Sequence, residues 1–324
     1  MSARRLLLLT LLVASPLAAQ PVDDTQRMSE SVSVGYVMIP FTVLSDRGAP
    51  ITDLRSAEMT LLVDGSPVRS DLFEKSQNAP VSFTILLDGS GSMALGGKMD
   101  AARAAIGALL AHRQRGDDFA LYVFAEADAR EVVPFTTDAS KITRALADVK
   151  PFGKTAFFDA LSTMPERSRL GANPTRAIVL LSDAIDNAST LTRNQLAQRL
   201  QGIAIPIYPL ALREPSDADR IDPKHPREEL SDVGLLDAVA NLTGGRLQLG
   251  STPDQIALAV ATLERNLRAQ YLIGFAPTGK GAVKYRRISL KLAGRGRSVR
   301  VRAGYLGTEP PVRTAASAQK SPTK

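Results

Sequence analysis

Asp88, Ser90 and Ser92 alternate along the run DGSGS, with Gly89 and Gly91 between them. Taken alone, such a run is no more than a turn, because Asp, Gly and Ser favour turns for local reasons. Its position says more. It follows VSFTILL at 81–87, an apolar run with β-branched members of the kind expected for a strand buried on both faces. In an open parallel sheet, ligands bind in the crevice at the carboxyl ends of the strands. Glycines at 89 and 91 would let the backbone curl until three oxygens converge. Two more loops should reach that edge, one carrying Thr155 before a helical run at 156–165, the other Asp183 after the strand-like RAIVLL at 176–181. Three hydroxyls and two carboxylates form an all-oxygen set, which suits a hard divalent ion such as magnesium or manganese.

Competing chemistries fare worse. Gly153-Lys154-Thr155 is not a phosphate loop, since the glycine required five positions before the Gly-Lys pair is Asp148. The GGK at 96–98 fails because Met99 stands where a hydroxyl should follow. Serine attack needs a neighbouring base, and the two histidines, His112 and His225, lie far from the loops in sequence and read as surface residues. Their separation fits no zinc spacing, and the absence of cysteine excludes thiolate chemistry and disulfides. The expectation is a binding site, not an enzyme.

The elements that must position these loops alternate between strand and helix. After 81–87 come a helix at 98–113, a strand at 119–125, helices at 139–148 and 156–165, the strand at 176–181, a helix at 191–201 and a strand at 203–210. Helices near 232–242 and 253–269 follow, with a short strand around Leu247 between them. This pattern predicts an α/β fold, a doubly wound and mostly parallel sheet with helices on both faces, over residues 80–268. The flanks are β. Residues 32–44 and 58–63 read as strands, Asp64-Gly65 as a hairpin turn, and Val68 to Phe73 as its return strand. Strands at 270–276, 284–292 and 297–303 follow the core. A β segment at 30–78 is therefore expected to pack with one at 269–307 as a small β domain formed from both flanks. Residues 308–324 read as a disordered tail, and the proline-broken linker 213–230 as a mobile insertion or part of a binding face.

The DxSxS loop, the threonine before a helix and the aspartate after the next core strand resemble the metal-ion-dependent adhesion site of von Willebrand factor A domains. The likeness covers about residues 80–268 and carries the pattern onto Asp88, Ser90, Ser92, Thr155 and Asp183. It implies that the hydroxyls touch a magnesium or manganese ion while the carboxylates act directly or through water. It further implies that an acidic group on a protein ligand completes the shell. The opening VSVGYVMIPFTVLSDRGAPITDL and the closing QYLIGFAPTG, YRRISLKL and VRVRAGYLG are similar to bacterial exported VWFA-related proteins. One position departs from the family, which usually has glycine after the third-loop aspartate where this chain has Ala184. A positive φ there would strain an alanine.

Arg4 and Arg5, the apolar run Leu6 to Val13 and the small residues around Ala18 and Ala19 read as a signal peptide over residues 1–19. No later stretch approaches the roughly 20 apolar residues of a membrane span, so a secreted or periplasmic protein is expected, without a cysteine for lipid attachment. The formal charge is +7, and from Arg268 through Thr308 there are ten Lys or Arg and no acid. Lys284, Arg286, Arg297, Arg300 and Arg302 alternate with apolar residues, which reads as a solvated sheet face or, functionally, as a polyanion contact at a cell surface. Nucleic acid is not expected, since no aromatic platform accompanies the charge. The reading is thus an exported module for metal-dependent protein interaction or adhesion. The alternatives are an envelope structural protein with a vestigial site and, behind it, a metal-assisted hydrolase.

Overall fold

The computed structural model describes residues 36–126, 128–212, 232–250 and 252–311. Residues 1–19, read above as a signal peptide, the 213–230 linker and the residues beyond Pro311 lie outside the described residues, as does His225.

The chain opens with β1 (Val37–Ser45), β2 (Met59–Val63), β3 (Ser66–Pro67) and β4 (Leu72–Gln77). The α/β run follows as β5 (Val81–Asp88), α1 (Lys98–Ala111), β6 (Asp118–Phe124), β7 (Arg130–Thr136), α2 (Ala139–Ala147), α3 (Phe157–Ser168) and β8 (Thr175–Ser182). It continues through α4 (Arg193–Leu200), β9 (Ile207–Leu212), α5 (Asp232–Thr243), β10 (Gln248–Gly250) and α6 (Pro253–Arg268). Strands β11 (Ala269–Phe275), β12 (Lys284–Leu292), β13 (Arg297–Val301) and β14 (Gly304–Gly307) close it.

The central sheet has the order β10-β9-β8-β5-β6-β7 and is parallel except for β7. Every residue of β5 is buried, as its unbroken apolar run demands. Side chains of α1, α2 and α6 share one core with one face of the sheet. Those of α3, α4 and α5 share a second core with the other face. The fold is therefore the doubly wound α/β arrangement expected from the alternation of elements.

Two departures have physical reasons. Strand β7 carries Pro134 in REVVPFT, a residue that weakens a strand pattern and is tolerated at a sheet edge, where β7 lies. At the Asp64-Gly65 turn both residues have positive φ, as a two-residue hairpin loop requires. The return strand is only Ser66–Pro67, and the chain then leaves to pair β4 with β11. The expected return strand at Val68 to Phe73 is thus replaced by the two-residue β3 and by β4, which joins the other sheet.

The flanking strands make two four-stranded antiparallel sheets, β13-β1-β11-β4 and β14-β12-β2-β3. Ile39, Phe41, Leu61, Val63, Ile273 and Tyr305 from both sheets share one core. The expectation of a solvated face holds for Lys284 and Arg297, which are exposed, and fails for two of the arginines. Arg286 and Arg302 are only 6% and 5% exposed. Arg286 donates to Asp64 at 3.2 Å, and Arg302 donates to the carbonyls of Gly202 and Met38, each at 3.0 Å. With no carboxylate beside it, Arg302 is pushed down to about 10 by burial. Strand alternation did not separate an inward arginine from an outward one, because the guanidinium can be buried wherever carbonyls receive it.

Candidate functional site

Strands β5 and β8 are adjacent and parallel, with Leu87 opposite Leu181, so both end at one edge of the sheet. Asp88 is the last residue of β5 and fully buried. Its Oδ1 accepts from the Ser90 amide at 2.9 Å, and its Oδ2 accepts from the Ser182 hydroxyl at 2.6 Å. Burial pushes the Asp88 carboxyl up to about 6, against the opposing pull of the Ser182 and Ser90 hydrogen bonds and with the added repulsion of Asp183. Ser90 is fully buried too, and its Oγ lies 3.1 Å from that of Ser92.

The glycines of this loop serve a purpose other than the expected curl. Neither Gly89 nor Gly91 has positive φ. A Cβ on Gly89 would lie 2.7 Å from Val123, and one on Gly91 would lie 3.2 Å from the Gly153 carbonyl. Close approach of β6 at Gly89 and of the Gly153 loop at Gly91 therefore leaves little room for a side chain.

Hydrogen bonds bring the second loop to the first. The Gly91 amide donates to the Gly153 carbonyl at 2.9 Å, and the Phe152 amide to the Gly89 carbonyl at 2.8 Å. Thr155, 2% exposed, donates its amide to Asn187 Oδ1 at 2.8 Å, and its carbonyl accepts from the amides of Asn187 and Ala188. Asp186 accepts from the Phe157 amide at 2.9 Å, satisfying a free donor at the start of α3. The third loop thus clamps the second.

Asp183 follows β8 directly. Its Oδ2 accepts from Lys98 Nζ at 2.8 Å, with the two side chains 5% and 11% exposed. Its Oδ1 is buried without a hydrogen-bond partner. Ala184 sits at φ +65°, the left-handed conformation that the neighbouring glycine of the family pattern would adopt freely, and its amide donates to Ser182 Oγ at 2.8 Å. All five sequence-derived residues therefore lie on three mutually bonded loops at one sheet edge.

The sequence reading missed Lys98, Ser182, Asp186 and Asn187. Ser182 had a signal, since a hydroxyl directly before the loop aspartate is placed to reach the first loop. Lys98 was weighed only as part of a phosphate loop, and nothing local shows that the first residue of α1 meets the end of β8.

Residues 83–185 match the family model of the von Willebrand factor type A domain. This chain contains a von Willebrand factor type A domain. No curated protein matches the chain. Among solved structures, it is similar to a von Willebrand factor type A protein from Catenulispora acidiphila, at 14% identity over 85% of this chain and 74% of that one, with a TM-score of 0.48. It is also similar to BatB from Bacteroides thetaiotaomicron, at 19% identity over 57% and 99%, with a TM-score of 0.42. The vWF domain of the pilus tip protein Mfa5 from Porphyromonas gingivalis is similar at 12% identity over 64% and 98%, with a TM-score of 0.43.

The donor set of this VWA domain fits a divalent ion. Among the described residues no three His, Cys, Asp or Glu side chains form a metal cluster, so a site here must draw on hydroxyls beside its two carboxylates. Asp183 Oδ1 is the independent sign, because a buried carboxylate oxygen without a partner is rare and costly. The Lys98 ammonium is the counterweight, since it already neutralises the other oxygen.

Proposed function

We propose that this VWA-domain protein is an exported binding module that captures an acidic group of a protein ligand through a magnesium or manganese ion. Ser90, Ser92 and Thr155 would hold the ion by their hydroxyls, with Asp88 and Asp183 in support. Asp183 Oδ1, buried and unpartnered on a loop tied to Asp88 through Ser182, carries the proposal. When bound, the ion supplies an electrophilic position that a ligand carboxylate can fill. The chain's own residues do the positioning. Ser182 holds Asp88 in one orientation, Asn187 fixes the Thr155 backbone, and the Gly91–Gly153 contact keeps the two hydroxyl-bearing loops together.

A hydrolytic role is disfavoured by the placement of bases. His112 follows α1 at the end opposite Lys98, about 20 Å along the helix at 1.5 Å per residue. It is paired there with Glu264 at 3.2 Å. Among the described residues no other histidine exists to serve the loops.

The test is thermal unfolding of the chelated protein during titration with magnesium or manganese, beside Asp183→Ala. At a hundredfold excess over the dissociation constant, a native-state ligand adds about 2.7 kcal/mol, a shift of several degrees. The expected result is a shift in the wild type that the variant loses. A structural role with a vestigial site is the second reading, favoured by the Lys98–Asp183 pair and by the strained Ala184. Absence of any shift would support that one and overturn the metal proposal.

A further inference from the structure

At the opposite margin of the central sheet from β7 lies a groove of about 440 Å³, lined by Arg47, Arg246, Gln248, Leu249, Leu258 and Arg265 among others. Its charge is one-sided. None of Arg47, Arg246 and Arg265 has a carboxylate within ion-pair distance among the described residues, and no acidic residue lines the groove. Arg246 is itself partly buried, which lowers its affinity for its proton, and the repulsion of Arg300 lowers it further and adds to the imbalance. Unpaired cations gathered in a concave site attract an anion.

A second observation is independent of charge. Gln248 is 9% exposed and its Nε2 is buried without a hydrogen-bond partner. An amide donor left so is costly, and Gln248 stands between the groove and the apolar cavity under α1 and α6. A third concerns shape and length. Gln248 and Leu249 are successive residues of β10, whose side chains point to opposite faces, yet both line the groove. The groove therefore wraps the outer edge of β10, where no partner strand lies among the described residues. Along α6 it runs from Gln255 through Leu258 and Thr262 to Arg265, about 15 Å at the helical rise. That length matches about four or five extended residues at 3.3 Å each. Leu249 and Leu258 stand 47% and 64% exposed along it.

We infer that this groove is a second binding site, separate from the DxSxS edge, which takes an extended acidic peptide segment of a partner with apolar side chains between its carboxylates. The arginines receive the carboxylates, the free edge of β10 receives the peptide backbone, and Leu249 and Leu258 receive the apolar residues. Open strand edges and unpaired guanidinium groups are both recognition devices for such a chain. A phosphate-bearing small anion would use one or two arginines and leave the edge and the leucines unexplained.

The test is fluorescence anisotropy with a labelled peptide of alternating glutamate and leucine, its glutamine analogue, and phosphatidylglycerol vesicles as the competing surface. The acidic peptide should bind, the glutamine analogue should bind at least roughly tenfold more weakly, and affinity should fall as salt screens the arginines. Arg246→Glu with Arg265→Glu should abolish binding, while Asp183→Ala should leave it unchanged, which separates this site from the metal reading. Leu258→Ser, a change at an exposed position that leaves the buried face of α6 intact, should weaken binding several-fold and serves if the double reversal does not fold. No peptide binding, or binding indifferent to these groove variants, overturns the inference. Vesicle binding lost on charge reversal without peptide binding overturns it too and assigns the groove to a membrane surface.

Discussion

The DxSxS edge and the arginine groove lie on the same sheet and treat charge in opposite ways. At the DxSxS edge nearly every polar group has an internal partner: Asp88 receives Ser182 and Ser90, Asp183 receives Lys98, and backbone bonds close three loops on one another. One atom, Asp183 Oδ1, is left over. In the groove, three arginines have no carboxylate partner among the described residues, Arg265 meeting only the Thr262 hydroxyl at 3.2 Å, and the Gln248 amide nitrogen is buried without a partner. The first arrangement suits a small ion that must fit a fixed set of oxygens. The second suits a larger anion that brings its own charges. Preorganisation belongs to the first and electrostatic attraction to the second.

The sharpest way to break this contrast is to remove arginines of the two kinds. Arg268, 8% exposed, donates at 2.6 Å to Asp117 and at 2.9 Å to Glu264, and it ends α6 where β11 begins. Arg268→Met should cost about 3 kcal/mol or more in denaturant unfolding, because Asp117 remains as a buried charge without its cation. Arg246→Ala should change stability by less than about 0.5 kcal/mol, since no internal ion pair is lost. Equal costs for the two would show that the groove arginines are paired in solution, and the contrast would fail.

How much of this was legible in the sequence divides along the same line. The five loop residues could be read because their spacing repeats a local pattern and the flanking runs assign each to a strand end. Helix and strand alternation likewise gave the order of layers. What escaped was contact between distant segments. The Lys98–Asp183 pair joins residues 85 apart, and the Arg268–Asp117 pair joins residues 151 apart. The groove joins the loop after β1 to α6. Arg286 and Arg302 were misread for a related reason, since alternation cannot say which side of a strand another layer will cover. Pro134 masked β7 by disrupting the local strand pattern.

A finer cut lies within the DxSxS edge itself. Lys98 holds the carboxylate that a divalent ion would also use. Lys98→Met should therefore lower the unfolding temperature of the chelated protein, since it leaves Asp183 buried without its cation. It should also strengthen magnesium or manganese binding, measured by isothermal titration calorimetry, because the ion no longer competes with a tethered ammonium. An affinity gain of roughly tenfold corresponds to about 1.4 kcal/mol. A loss of affinity in the variant would mean that Lys98 orients Asp183 for the ion instead of opposing it.

The smallest effect is expected at Ala184, where two terms of similar size oppose each other. Its φ of +65° is a left-handed conformation that costs an ordinary residue about 1–2 kcal/mol relative to the right-handed region. Ala184→Gly would relieve that strain. The same methyl is buried, however, 1% exposed in the core shared with α3 and α4. Losing one buried carbon costs about 0.8 kcal/mol, and glycine adds the entropy of a freer unfolded chain. The net change in denaturant unfolding should therefore stay within about 1 kcal/mol of the wild type. Metal affinity is the more telling readout. If the strain is confined to Ala184, the variant should bind magnesium or manganese as the parent does. A marked gain in affinity would show that the alanine displaces Asp183 from the geometry the ion requires, and would make this single methyl a determinant of how weakly the DxSxS edge holds its ion.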